Sequence, residues 1–329
     1  MNHCCKQNIV KDLKQLQLHI FLIGYPVEGE CILIFVVDNS VNEVLFSMMI
    51  DCYSYNNYNV AHDILNLYNI GTLDYFIWTH PDNDHSVGIE DTLKKYGLKT
   101  TTILLPEGVL NGRKLGENAT SALNYINSVG IRKQNYQVNR VSVSLPKNRN
   151  IFEETIYTDT IAKLDFSFSI IAPNSAIVGK RTTKNKKCKL NDFSIGIIIH
   201  FGDLNFVFGG DIENQTIKRI PEYYFDNIGY IKVPHHGSIS SDSLIESVSN
   251  ISNLSKKQII AATTVFTNSS LPVSYTQQIV LDKYKSFCSN IFSTGSGSQN
   301  YGYIKTVYNI AETTVELPEI KGNAICIYR

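Results

Sequence analysis

The stretch His80-Pro81-Asp82-Asn83-Asp84-His85 crowds imidazoles and carboxylates into one short turn, directly behind the apolar run Tyr75 to Thr79. A short apolar run rich in β-branched and aromatic residues reads as a buried strand. Its end delivers the polar residues into a tight loop, where neighbouring side chains can point into one space. Imidazole nitrogen and carboxylate oxygen together suit a borderline or hard divalent ion. The competing reading is a polar loop in which Asp84 or Ser86 caps a helix starting near Val87.

Two further motifs follow the same plan. Lys232-Val233-Pro234-His235-His236-Gly237-Ser238 closes an expected strand from Tyr230 to Val233, and Gly237 allows the backbone to turn close to a bound group. Phe208-Gly209-Gly210-Asp211 ends another apolar strand in a carboxylate. Taken alone, that last motif is an ordinary turn with a helix cap. From the residues themselves, either His235 or His236 can serve as a ligand.

The rest of the chain alternates strand and helix signals. Residues 16 to 50 read as a β-meander with apolar blocks Leu18 to Gly24, Ile32 to Val37 and Val44 to Ile50. A helix is expected over Val60 to Tyr68, then a strand over Thr101 to Leu105 and a helix over Ala119 to Val129. Pro146 to Asp159 looks irregular. Strand Phe166 to Ile171, a polar loop, and a hairpin Ser194 to His200 with Asn205 to Phe208 follow, turning at Gly202-Asp203. A short helix from Ile212, a helix from Asp242 to Val248 and a loop from Ser293 to Ser298 complete the expectation. No composition break or repeat divides the chain, so one domain over 1–329 is expected.

Composition narrows the class. Apolar content of 43% can supply a core, and 18% charged residues argue against disorder. A formal net charge of zero gives no global pull toward nucleic acid or membrane. His19 to Val37 carries Pro26, Glu28 and Glu30 and reads as two strands rather than a signal or a membrane span. The 7 cysteines never form a C-x-x-C pair, which argues against a disulfide framework or thiolate zinc site and favours a reducing cytoplasm. Trp78 and Phe76 are expected to fill the core beneath His80, and His19, His62 and His200 to be packed or surface histidines.

In order and wording, the motifs resemble the metallo-β-lactamase superfamily, and more narrowly the hydrolase domain attached to competence DNA-uptake channel proteins of the ComEC/Rec2 type. The matching pieces are His80 to His85, Asn191 to Ser194, Gly210-Asp211 and Val233 to Ser238, with Gly24 to Glu30 similar to an early glycine hairpin and Asp51 to an early strand-end aspartate. The resemblance implies a four-layer αββα sandwich with two mixed β-sheets. It also implies a metal-binding hydrolase with His80 and Asp82 on one ion, Asp84, His85 and His236 on the other, and Asp211 bridging them. Asp82 stands where most of the superfamily has histidine, and Asn191-Asp192 replace the third-motif histidine. Leu271-Pro272-Val273-Ser274 occupy the region of a further, missing histidine. Oxygen donors in place of nitrogen weaken the preference for zinc, so Zn²⁺ or Mn²⁺ is expected.

Such a site would activate water near Asp84, with His235 placed to donate to a phosphoryl oxygen or leaving group. Lys180, Arg181, Lys184, Lys186, Lys187 and Lys189 precede the strand at Asn191 and could hold a polyanion's phosphates, and Ser238 is a further candidate for substrate binding. A solvated loop is the bland alternative. The expected activity is therefore that of a phosphodiesterase or nuclease acting on nucleic acid or another phosphodiester, without a membrane partner. Hydrolysis of a small ester, lactone or thioester, or a catalytically weak interaction protein, are the competing readings.

Overall fold

The structure, a computed structural model, describes residues 9–108, 115–144, 150–158, 163–183, 189–249, 251, 259–266 and 275–329. Strands Leu16–Gly24, Glu30–Asp38 and Glu43–Ile50 form the expected antiparallel meander. Glu43–Ile50 then pairs in parallel with Tyr75–Ile77, followed by Thr102–Pro106 and Gln137–Val141. Parallel neighbours need crossovers, which helices Val60–Leu67, Ile89–Tyr96 and Glu117–Tyr125 supply.

The second sheet repeats this plan. Asn150–Thr158, Lys163–Ala172, Gly196–Phe201 and Leu204–Phe208 run antiparallel, and Leu204–Phe208, Ile228–Lys232, Ile260–Thr263 and Asn290–Ser293 run parallel. Each sheet also borrows a strand from the far end of the chain. Gly302–Asn309 pairs with Leu16–Gly24 in the first sheet, and Ile9–Val10 pairs with Asn150–Thr158 in the second.

Side-chain alternation along each strand builds three apolar layers. Ile20, Ile34, Met48 and Ile77 face Phe168, Ile197, Phe206 and Tyr230 between the sheets. On the outer face of the first sheet, Phe21, Phe35, Met49, Phe76 and Trp78 meet Ile64, Leu65, Ile89 and Leu93 of the helices. On the outer face of the second, Ile198, Val207, Ile231 and Ile291 meet Leu244, Val248, Val280 and Leu281. The result is the four-layer αββα sandwich with two mixed sheets. A sheet covered on both faces needs strands that are apolar throughout, and every position of Glu30–Asp38 is buried. Phe76 and Trp78 do lie in the layer beneath His80.

Three local expectations differ from the structure. Asn150–Thr158 is a strand where irregular chain was expected, because pairing with Lys163–Ala172 outweighs its weak local pattern. The expected polar loop after Pro173 contains helix Ser175–Thr183. The helix expected near Val87 begins at Ile89 behind Gly88, which takes φ +93° and offers no side-chain cap. Asp84 is thus not a helix cap. Among the described residues no helix is long and apolar enough to cross a membrane.

The core is expected to tolerate truncation poorly. Phe168, 0% exposed between the sheets, should cost ~3–5 kcal/mol as Phe168→Ala, through lost burial and the cavity left behind. Leu67, 76% exposed, should change stability by no more than ~0.5 kcal/mol as Leu67→Ala. Urea unfolding of the two variants checks the contrast; equal losses would contradict the assignment of the middle layer.

Candidate metal centre

The chemistry-bearing residues sit where strands end. Asp51 follows Glu43–Ile50, His80 follows Tyr75–Ile77, Asp211 follows Leu204–Phe208, and His235-His236 follow Ile228–Lys232. Crevices outside the carboxyl ends of parallel strands are where open α/β sheets place ligands. Both sheets contribute to this one. Getting there requires unusual backbone: Asp51, His235 and His236 adopt φ of +56°, +50° and +52°, with Gly210 at +53° and Gly237 at +80°. A non-glycine residue held there costs on the order of 1–3 kcal/mol and persists only where its surroundings fix it. His235 N–H donates to Gly210 O at 3.0 Å, and the Gln277 side chain donates to His236 O.

Asp84, His85, Asp211 and His236, all buried, offer ligand atoms that lie within 4.8 Å of one another. His236 Nε2 is 3.0 Å from Asp84 Oδ2 and 3.6 Å from Asp211 Oδ2. His85 Nε2 is 3.3 Å from Asp84 Oδ2 and 3.6 Å from Asp211 Oδ1. His80 Nε2 flanks the same carboxylate, 3.9 Å from Asp211 Oδ2.

Neighbouring groups fix which nitrogen of each ring points inward. Asp51 Oδ2 lies 2.6 Å from His85 Nδ1 and accepts its N–H, leaving Nε2 toward Asp84 and Asp211. The Thr79 hydroxyl donates its single proton to Asp51 at 2.6 Å, so its oxygen accepts from His80 Nδ1 at 3.0 Å. His80 Nε2 is thereby presented as a lone pair as well. His80 Nε2, His85 Nε2 and Asp211 Oδ1 are buried without a hydrogen-bond partner. Each such atom costs about 1–3 kcal/mol when left unpaired. Imidazole lone pairs facing carboxylate oxygens fit a divalent cation, and outer hydrogen bonds of this kind are what orient metal-binding histidines.

The surrounding charges favour a positive group in this pocket, a proton or a cation. Burial opposes charge on His85, yet Asp84, Asp51 and Asp211 hold its pKa well above the ordinary imidazole value. Burial also opposes charge on His236, but Asp211 and Asp84 raise its pKa. Burial pushes the Asp84 and Asp211 carboxyls up, and His85 and His236 more than reverse it, leaving both below the usual range. Burial holds the Asp51 carboxyl above its usual range, and its bonds from His85 and Thr79 act against that rise. His80 is lowered to about 3 by burial and by the adjacent His85.

The other residues singled out by sequence lie around this centre. Asp82 is half-buried, accepts from Asn83 N at 3.0 Å and stands outside the four-residue group. His235 is partly exposed; its Nδ1 meets Ser240 Oγ at 3.0 Å and its Nε2 accepts from Asn191 Nδ2 at 3.3 Å. The Ser238 hydroxyl accepts from Ser240 N and so stiffens the turn. Lys189 is exposed and pairs at 3.0 Å with Glu213, whose carboxylate is 3.8 Å from His235 Nδ1. Lys180 is exposed on helix Ser175–Thr183, which also contains Arg181. Lys184, Lys186 and Lys187, and the segment Leu271 to Ser274, lie outside the described residues.

No protein-family model matches this sequence, and no curated protein matches it. A solved structure from Parabacteroides distasonis, of a protein described as a candidate metal-dependent hydrolase, matches over 80% of this chain and 95% of that one. The identity is 13% and the TM-score 0.38, a likeness that carries no functional argument.

Sequence reading gave no site role to Glu30, Thr79, Lys232 or Thr264. Two of them left a signal: Glu30 heads, and Lys232 ends, a strand buried at every position. A charge inside such a run must be paired.

Gly210 offers a direct test of the turn that carries Asp211. A Cβ there would lie 2.6 Å from Ser194 Oγ and 2.8 Å from Ile195 O, in a left-handed backbone. Gly210→Ala is expected to destabilise by ~1–3 kcal/mol. Gly179→Ala, with nothing within 4 Å and a helical position, should stabilise by ~0.5–1 kcal/mol. Thermal or urea unfolding of both variants decides, and a neutral Gly210→Ala would refute the tight turn.

Proposed function

We propose that this chain is a metal-dependent hydrolase of metallo-β-lactamase type. The observation that carries the reading is the convergence of the inward nitrogens of His85 and His236 on Asp84 and Asp211, with His80 beside them. Asp84, His85, Asp211 and His236 would hold one divalent ion, Zn²⁺ or Mn²⁺. His80 and Asp82, with Asp211 shared, would hold a second. Two imidazoles and two carboxylates suit either metal, and the extra oxygen donor at Asp82 favours Mn²⁺ at the second position. When bound, the ions supply Lewis acidity toward water and toward the oxygen of the bond under attack.

The remaining steps belong to the protein's own side chains. Asp84 and Asp211 accept hydrogen bonds and orient a water in the crevice. His235 reaches the rim, and its Nε2, held in a neutral acceptor state by Asn191, is placed to exchange a proton with a leaving group. Burial lowers its pKa, consistent with a neutral ring at pH 7. Lys180 and Lys189, with the basic segment between them, offer charge for a phosphodiester backbone, in keeping with the motif resemblance to the competence-type hydrolases. Lys189 supports this placement because Glu213 links it to the turn of His235.

Activity on bis-p-nitrophenyl phosphate, single-stranded DNA, duplex DNA and RNA, with each metal, tests the reading. Chelation should abolish hydrolysis and Zn²⁺ or Mn²⁺ should restore it. Asp211→Ala should lower both ion content and turnover beyond the ~10–100-fold cost of losing a residue that only orients a ligand. Near-normal stoichiometry and rate in that variant would sink the proposal. Neutralising Lys184, Lys186, Lys187 and Lys189 should flatten the salt dependence of nucleic-acid binding by ~0.7–0.9 per lost contact, with small-substrate turnover barely changed. An unchanged slope and affinity would make the segment a solvated loop and favour the small-substrate reading.

A further inference from the structure

Glu30 and Lys232 are both 0% exposed and form an ion pair of 2.8 Å between the two sheets. Glu30 heads strand Glu30–Asp38 of the first sheet, and Lys232 ends strand Ile228–Lys232 of the second. The ammonium also donates to Gly210 O at 3.1 Å and stands 3.8 Å from Asp211 Oδ1. Burying such a pair yields little net stability, because desolvation offsets the attraction. Its value has to be sought in what the pair touches. Glu30, Asp51 and His85 offer ligand atoms within 4.8 Å of one another, but the Lys232 ammonium already lies against Glu30 there, so this is not a second cation site.

The same oxygen of Glu30 that meets Lys232 accepts the Thr264 hydroxyl at 2.7 Å. Thr264 Oγ1 is in turn 2.7 Å from His236 Nδ1. A hydroxyl has one proton, and this one is given to Glu30, so the oxygen must accept from the Nδ1–H of His236. The ring is then fixed with Nε2 toward Asp84 and Asp211. Without the hydroxyl, Nδ1 would face Glu30 only at 3.8 Å, beyond hydrogen-bond reach.

We propose that Thr264 is a positioning residue that transmits the hold of the buried Glu30–Lys232 pair to His236, so that a carboxylate of one sheet orients an inward nitrogen of the other. This rests on the reading of His236 as a metal ligand. Lys232 has two duties in it: it keeps the Glu30 oxygen in place and pins the carbonyl of Gly210, the residue before Asp211. The Gln277 contact to the His236 carbonyl holds the backbone while the relay holds the ring.

The test uses Thr264→Val, which keeps the shape and removes the hydroxyl, beside Thr264→Ser, which keeps the hydroxyl. Two readouts are taken on the full chain. The first is the low-field proton resonance of His236 Nδ1–H in protein stripped of metal; the second is Zn²⁺ or Mn²⁺ affinity by calorimetry. Thr264→Val should lose the resonance to solvent exchange and bind metal ~10–100-fold more weakly, while Thr264→Ser keeps both near wild type. Retention of the resonance and affinity in Thr264→Val overturns the proposal. So does an equal loss in Thr264→Ser. Should the wild type bind neither ion, the metal reading falls, and the resonance in stripped protein still decides whether the relay exists.

Discussion

Four carboxylates, Glu30, Asp51, Asp84 and Asp211, are buried at one end of the sandwich, and among the described residues the one lysine ammonium buried with them is that of Lys232. Removing charges from water costs several kcal/mol each unless opposite charge and hydrogen bonds answer them. Most of the architecture around the site can be read as that answer. Thr79 gives Asp51 two donors, His85 a third, and Lys232 serves Glu30 and faces Asp211. The histidines supply the remaining positive charge when protonated, or hand that role to a cation bound in place of those protons. Metal affinity and local proton affinity are thus two sides of the same charge balance.

Placement of these groups follows from the sheets. Parallel strands end together, so the turns after Glu43–Ile50, Tyr75–Ile77, Leu204–Phe208 and Ile228–Lys232 open on one crevice although they are far apart in sequence. The apolar layers beneath hold the strand ends in register. The left-handed residues at Asp51, Gly210 and His235 to Gly237 then turn the chain sharply enough to aim side chains inward. Strain in these turns and burial of charge are concentrated at the same place, as expected where local preference yields to function.

Much of this was legible in the sequence because it is local. Apolar runs marked the meander and the hairpin at Gly202, and dense polar turns behind them marked His80 to His85, Asp211 and His236. The four-layer arrangement came through the resemblance of those motifs. What stayed hidden depends on partners distant in sequence. Asn150–Thr158 is a strand because Lys163–Ala172 pairs with it, and no periodicity announced that. Thr264 and Glu30 are 234 positions apart, and nothing local to a threonine says that its hydroxyl will bridge a carboxylate and an imidazole. The residues themselves left His235 and His236 alike and only the resemblance favoured His236; burial and the Thr264 bond separate these two identical, adjacent residues in a way the chain does not announce.

The exchange of strands distant in sequence bears on how the chain is made. Leu16–Gly24 is an inner strand whose second neighbour, Gly302–Asn309, is made long after it. At ~5–20 residues per second, that interval is on the order of tens of seconds. Throughout it, Leu16–Gly24 presents an apolar, hydrogen-bond-ready edge, the kind of surface on which nascent chains associate wrongly. Elongation speed and chaperone cover over the N-terminal meander therefore bear on the yield of correctly closed molecules.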